Sequence, residues 1–331
     1  MATAQQILGL LRSHAKGDEE RFHALSMQIA AAEERKGHRK LADEIRKLAD
    51  TVAQRKKAPD QGHRAGEPVP IVAPRGELAG IMSASYPKTR LRHMVLPESV
   101  SRELAKVVTE HRQRWKLSEH GLWPRAKVLL VGPPGSGKTM TASALAGELA
   151  LPLFTILLHG LITKYMGETA AKLRIVFDAI ADTRGLYLFD ELDAIGAKRA
   201  TGNDVGEARR ILNSFLQFLE EDRSESLIVA TTNHPEILDR ALFRRFHVIL
   251  EYALPERDLI VQTVESRLAM FPLKSIDWDR VAGAAEGLSN AEIIRAAEDA
   301  ARDAVLSGQG DVETDALSDA LAARMSAYRP T

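Results

Sequence analysis

The sequence predicts an α/β fold: a P-loop parallel five-stranded sheet sandwiched by helices, with a small C-terminal helical lid domain and an N-terminal helical region. Three observations carry it. Between Ala126 and Glu251, short apolar runs alternate with helical stretches, the pattern of a parallel sheet covered on both faces. The first run, Val128-Leu129-Leu130-Val131, breaks at a Gly/Pro-rich loop and is followed by the Ala-rich stretch Met140–Ala150. From Pro255 onward no run reads as a strand.

Residues 1–57 carry apolar stripes at spacings near three and four: Ile7, Leu8, Leu10 and Leu11; then Phe22, Leu25, Met27 and Ile29; then Leu41, Ile45, Leu48 and Val52. These are amphipathic helices, suited to recruitment of a partner or to oligomerisation. Residues 58–89 read as a linker, because Pro59, Gly62, Gly66, Pro68, Pro70, Pro74, Gly76 and Gly80 leave too little to bury. Residues 90–254 then form the nucleotide-binding domain and 255–331 the helical lid. A helix opens near Pro97-Glu98 and runs to about Lys116. Strands are expected at Lys127–Val131, Leu153–Leu158, Leu186–Asp190, Leu227–Thr232 and Val248–Glu251. Helices are expected between them at Thr139–Ala150, Ala170–Ala181 and Gly206–Glu221, and in the lid at Arg257–Phe271, Asp277–Ala285, Asn290–Leu306 and Glu313–Ala327. Asp277 and Ser289 are placed as N-caps.

The loop carries the first chemistry. Gly132, Pro133, Pro134, Gly135, Ser136, Gly137, Lys138, Thr139 and Met140 include the pattern G-x-x-x-x-G-K-[ST] between a strand and a helix. Backbone N–H groups there cradle phosphates, the lysine reaches the β- and γ-phosphates, and the hydroxyl holds Mg²⁺. The second motif is the apolar run Leu186–Phe189 ending in Asp190-Glu191. Beside such a loop, Asp190 completes a Mg²⁺ site with Thr139, and Glu191 orients the attacking water. Asp193 is read as a surface residue or as local turn chemistry. The third motif ends the strand Val229–Thr232 on Asn233, an uncharged amide able to meet the γ-phosphate or the water. The fourth, Leu238–Phe246, turns its apolar residues inward and exposes Arg244 and Arg245, forked cations suited to developing phosphoryl charge.

On these four motifs the chain resembles a classical AAA ATPase of the AAA+ superfamily, protein-remodelling type, over about residues 90–325. GPPGSGKT at 132–139, LYLFDELDA at 186–194, ATTNHPEILDRAL at 230–242 and RRF at 244–246 correspond to Walker A, Walker B, sensor 1 and the arginine-finger segment. The resemblance implies ATP and Mg²⁺ as cofactors and a homo-oligomeric ring, usually a hexamer, whose arginine acts in trans. It also gives meaning to Lys164, Tyr165 and Met166, which match the first pore loop that grips an extended polypeptide client. Its adenine-cupping loop corresponds to His120-Gly121-Leu122. Arg244 and Arg245 are adjacent where the family has a Pro-Gly step, so both stand as candidate fingers. Asn290 stands where the family has glycine.

The implied function is Mg²⁺-dependent ATP hydrolysis driving remodelling, unfolding or translocation of a protein client. The alternative is an ATP-dependent assembly switch that recruits a partner, a separate protease among the candidates. A nucleic-acid motor is disfavoured by a formal net charge of zero and only 5% aromatic residues. No cysteine is present, so disulfides and thiol chemistry are excluded. The most apolar window, Leu149–Thr163, contains Pro152 and His159 and is too short to span a bilayer. No membrane insertion and a cytoplasmic location are therefore expected.

Overall fold

The computed structural model describes residues 26–27, 29–31, 38, 42–43, 74, 76–161, 166–194, 205–238, 240–273, 275–308 and 311–328. The chain divides into two compact units, Met1–Glu67 and Pro68–Thr331. In the first, residues 26–27, 29–31 and 42–43 are helical, and Ile29, Ala30 and Ala42 are buried. The rest of the helical region expected over 1–57 lies outside the described residues, as do linker positions 58–73 and 75 and the pore-loop residues Lys164 and Tyr165.

The second unit is built on a six-stranded sheet: β1 (Met82–Ser85), β2 (Lys127–Val131), β3 (Leu153–Ile156), β4 (Leu186–Phe189), β5 (Leu227–Thr232) and β6 (Val248–Glu251), in the order β1-β3-β4-β5-β2-β6. Five strands are parallel, as the alternation predicts; β1 joins β3 antiparallel, pairing Met82 with Ile156. This sixth strand corrects the reading of 58–89 as linker throughout. The run Ile81–Ser85 follows Gly80 directly, and its only demand is one free sheet edge, where Ile81 and Met82 become buried.

Alternate residues of each strand enter opposite cores, as a pleat of period two requires. Leu129, Val131, Tyr187, Phe189, Ile228 and Ala230 face one side, under helices α3 (Met166–Asp182) and α4 (Val205–Glu221). Val128, Leu130, Leu186, Leu188, Leu227 and Val229 face the other, under α1 (Glu98–Arg112) and α2 (Lys138–Leu149). Phe189 lies edge-on to Phe215 at a centroid distance of 5.0 Å and stacks on Phe177 at 6.0 Å, which anchors the end of β4. The lid packs α5 (Arg257–Arg267), α6 (Trp278–Ala285), α7 (Asn290–Leu306) and α8 (Thr314–Tyr328) around a separate alanine-rich core. Asp277 and Ser289 cap α6 and α7 as expected. Among the described residues, no helix is long and apolar enough to cross a membrane.

One helix differs. The single segment expected to Lys116 is interrupted at Gln113, and Arg114–Glu119 forms a separate helix. The buried stripe Val100, Leu104, Val107, Val108 and His111 ends there, and Trp115 beyond it is 56% exposed, so no apolar stripe carries the helix across Gln113.

His111 ties α1 to the sheet: its Nε2–H donates to the Arg125 carbonyl at 3.1 Å, immediately before β2. Burial lowers its pKa from the ordinary histidine value, and the nearby Arg184 and Arg114 act in the same direction against Glu110 and the Arg125 carbonyl. The neutral ring is therefore the folded form, and the unfolded chain binds the extra proton. Stability is complete above the unfolded value of about 6.5 and falls as pH drops through it, by at most about 1.4 kcal/mol per pH unit from this group. Denaturant unfolding between pH 7 and 5 is expected to show this slope. His111→Gln, which keeps a donor for the carbonyl, flattens it; an unchanged slope in that variant rules His111 out as its source.

Candidate nucleotide-binding and active site

The carboxyl ends of β2, β4 and β5 open into a cleft of about 690 Å³, within the range of small-molecule sites. Buried β2 delivers the loop to its floor. Gly135 has φ 76, and a Cβ there meets Ser289 Oγ at 2.5 Å; at Gly132 a Cβ meets the Tyr252 carbonyl at 2.3 Å. Both positions need the absent side chain, one for its left-handed backbone and both for close approach. Gly137 caps α2 in a left-handed conformation without a side-chain partner, and no acid lies in the first turn. The first N–H groups of α2 thus face the cleft with the positive end of the helix dipole, an anion site.

Lys138 is buried, and its Nζ donates to the carbonyls of Gly132 at 2.7 Å and Pro133 at 2.8 Å. Burial lowers its pKa, against the pull of Asp190, Asp193 and Glu191. The ammonium is thus curled inside the phosphate loop with three carboxylates on its far side. Thr139 Oγ1 lies 3.1 Å from both carboxylate oxygens of Asp190. These are hard oxygen donors only, a set that fits Mg²⁺ bound through one or two protein groups together with phosphates and water. Among the described residues, no cluster of three His, Cys, Asp or Glu holds a metal by itself.

Glu191 follows with φ 55, a left-handed backbone uncommon for a residue with a side chain, and is exposed toward the cleft. Its N–H donates to Thr231 Oγ1 at 2.8 Å. Asn233 also lines the cleft, and its backbone N–H donates to Asp193 Oδ1 at 3.1 Å. The assignment of Asp193 to a local turn is thereby corrected. It is 8% exposed and joins the ends of β4 and β5, a contact between strands 40 residues apart that spacing along the chain does not reveal.

Met140 lines the cleft beside the loop residues. His120, Gly121 and Leu122 do not; the segment Arg92–Leu96 takes that place. The lid closes another side with Thr263, Arg267, Asn290, Ala291 and Ile294, and the Ala291 N–H donates to the Gly135 carbonyl at 3.0 Å. Asn290 Oδ1 is buried without a hydrogen-bond partner. Arg244 and Arg245 do not line the cleft of their own chain. Leu238, Leu242 and Phe246 are buried around them as the pattern predicts. Arg245 pairs with Glu220 at 2.9 Å, whereas Arg244 is exposed. Met166 is the first residue of α3. Sequence reasoning missed Arg92–Leu96, which bears no motif, and Thr231, which sat inside a recognised motif without a role.

Comparison with known proteins identifies the family. The profile of the ATPase family associated with various cellular activities (AAA) matches residues 128–254. An uncharacterized AAA family ATPase, y4kL, of Sinorhizobium fredii is 33% identical over 95% of this chain and 92% of its own length. The ATP-dependent zinc metalloprotease FtsH of Helicobacter felis is 30% identical over 74% of this chain, and the proteasome-activating nucleotidase of Methanococcus vannielii is 34% identical over 61%. The chain spans only 40% and 51% of those two relatives. The crystal structure of the FIGL-1 AAA domain superposes with a TM-score of 0.58 at 25% identity, covering 76% of this chain and 87% of that one.

The loop–lid contact makes a specific demand on Gly135. Gly135→Ala introduces a left-handed alanine, costing about 1–2 kcal/mol, and presses on Ser289. Nucleotide affinity is expected to fall about tenfold by fluorescent-ATP titration. Unchanged affinity would mean that Ser289 yields freely and that the contact is incidental.

Proposed function

The chain belongs to the AAA family of ATPases, and from that premise we propose that its ATP hydrolysis drives the remodelling or translocation of a protein client through a homo-hexameric ring. That it binds nucleotide and hydrolyses ATP follows from its family. The observation that carries the mechanistic part is the meeting of Thr139 and Asp190 at 3.1 Å beside Lys138, with Glu191 next in the chain.

In this reading, the backbone N–H groups of Gly135–Met140 and the Lys138 ammonium hold the β- and γ-phosphates. Thr139 and Asp190 would hold Mg²⁺, which when bound would neutralise phosphate charge. Glu191 Oε orients the water and accepts its proton, and Asn233 places the γ-phosphate or water without adding charge. Catalysis here is positioning and electrostatic stabilisation, which a water-poor cleft strengthens.

The remaining charge comes from a neighbouring subunit. Of the two candidate arginines, we assign the trans role to Arg244: it is exposed and has no ion pair among the described residues, while Arg245 is engaged by Glu220. Arg245 then orients the segment. Residues 90–254 and 255–331 act as the ATPase core and its lid, and 1–57 as the recruitment region. The relatives named for proteolysis and proteasome activation support a protein client and a separate protease as partner. Lys164, Tyr165 and Met166 form the grip on the client, and the site of action is cytoplasmic.

Glu191→Gln is expected to retain ATP binding and to lose about 10²–10⁴ in turnover; wild-type turnover removes Glu191 from its role. Arg244→Ala loses about 10³-fold or more, and turnover returns on mixing with a subunit of inactive nucleotide site but intact arginines. Arg245→Ala loses much less, since an exposed ion pair contributes about 0–1 kcal/mol. The reverse ranking, or no rescue on mixing, overturns the assignment. Tyr165→Ala keeps basal ATPase activity and fails to unfold a tagged client captured with the Glu191→Gln chain; full unfolding by that variant favours the assembly-switch alternative.

A further inference from the structure

Thr231 precedes Asn233 by two residues on β5 and is 1% exposed. The parallel register pairs Phe189 with Ala230, so the next residue on each strand, Asp190 and Thr231, lie side by side. The Thr231 hydroxyl donates to Asp190 Oδ1 at 2.6 Å and accepts the Glu191 N–H at 2.8 Å. The Thr231 carbonyl accepts the Leu192 N–H at 2.8 Å. One buried residue of β5 thus holds the carboxylate of one acid, the backbone of the next, and the residue after that.

We propose that Thr231 is a positioning residue for ATP hydrolysis, its hydroxyl aiming the Asp190 carboxylate at Thr139 and clamping the Glu191 backbone in its left-handed turn. The inference rests on the roles given above to Asp190 and Glu191.

The chemistry selects threonine. The position requires a donor toward a carboxylate and an acceptor for an amide at the same atom, which a hydroxyl supplies and an amide or alkyl side chain does not. The β-branch restricts χ1 on a strand, so the hydroxyl is held in one direction. An O–H···O⁻ bond of this length is charge-assisted and among the stronger kinds. It leaves one fewer free orientation for Asp190, whose other contact is Thr139 Oγ1. A left-handed Glu191 costs about 1–2 kcal/mol, and the hydrogen bonds of Glu191 and Leu192 to Thr231 hold it there. Because Asn233 is tied in turn to Asp193, the ends of β4 and β5 are joined at two points.

The test compares Thr231→Val, Thr231→Ser and Thr231→Ala with Asp190→Asn and Glu191→Gln in the full chain. Fluorescent-ATP binding is titrated in EDTA and against Mg²⁺, and steady-state ATPase is measured alongside. Thr231→Val is expected to bind nucleotide in EDTA as the wild type does. It needs about tenfold more Mg²⁺ to reach half of the Mg²⁺-dependent change in binding, and turns over about 10–100-fold more slowly with KM for ATP little altered, the range seen when partners of metal ligands are removed. Thr231→Ser restores both to within about threefold, because it keeps the hydroxyl. Thermal unfolding is followed for each variant. Should the buried valine leave the chain partly unfolded at the assay temperature, Thr231→Ala, which removes the hydroxyl without adding an apolar methyl beside the carboxylate, is held to the same values. If the Mg²⁺ midpoint and turnover of the folded hydroxyl-less variant stay within about twofold of the wild type, the positioning role is wrong. If Asp190→Asn and Glu191→Gln hydrolyse ATP normally, the assignment of the two acids falls, and this inference with it.

Discussion

A parallel sheet buried on both faces has polar business only at its strand ends, and the site exists because this chain brings three such ends together. β2 lies between β5 and β6, and β5 lies between β4 and β2, so the residues that follow β2, β4 and β5 emerge side by side. The interiors of these strands, Val128–Val131, Leu186–Phe189 and Leu227–Ala230, are apolar because neither face meets water. The first residues free to be polar are Gly132 and the loop after β2, Asp190 and Glu191 after β4, and Thr231 to Asn233 at the tip of β5. Gly132 N–H still donates to the Thr232 carbonyl at 3.2 Å, so the phosphate loop departs from the sheet only after one further rung. Phe189, packed against Phe177 and Phe215, then fixes the level at which the acids begin.

Charge follows from that placement. Lys138, Asp190, Asp193 and Glu191 converge at these strand ends, and three of them are held by neutral partners: Lys138 by loop carbonyls, Asp190 by two hydroxyls, Asp193 by the Asn233 amide. Such an arrangement keeps the donors and acceptors pointed without a bound nucleotide, and little reorganisation remains for the reaction. The lid enters through backbone chemistry. The Ala291 N–H bonds to the Gly135 carbonyl, and Ser289 fills the space that a side chain at position 135 would claim. Movement of the helical domain is therefore felt directly at the phosphate loop, a physical route by which a change in nucleotide reaches the rest of a subunit.

Where the sequence reading and the fold part company, the cause lies each time in contacts between distant segments. Ile81–Ser85 looks like linker because it is short and surrounded by glycine and proline, yet a free sheet edge accepts it. Arg92–Leu96 lines the cleft without any motif of its own, beside loop residues some forty positions further along the chain. Asp193 reads as a turn acid, and only the adjacency of β4 and β5 makes it the anchor of Asn233.

The sequence by itself determined the alternation of strand and helix, the strand that carries the Gly-rich loop, the caps of the lid helices, and Lys138, Thr139, Asp190, Glu191 and Asn233 as candidate site residues, which the fold brings into one cleft. These depend on local rules: the period of buried residues, the conformations open to glycine, and the spacing that one loop needs around phosphate. Tertiary structure alone decided that Thr231 clamps two acids, that Arg245 is occupied by Glu220 while Arg244 is exposed, and that the lid bonds to Gly135. Each of those is a hydrogen bond or ion pair across dozens of residues. Its existence depends on strand order and helix direction, which set distances in space that no spacing along the chain encodes.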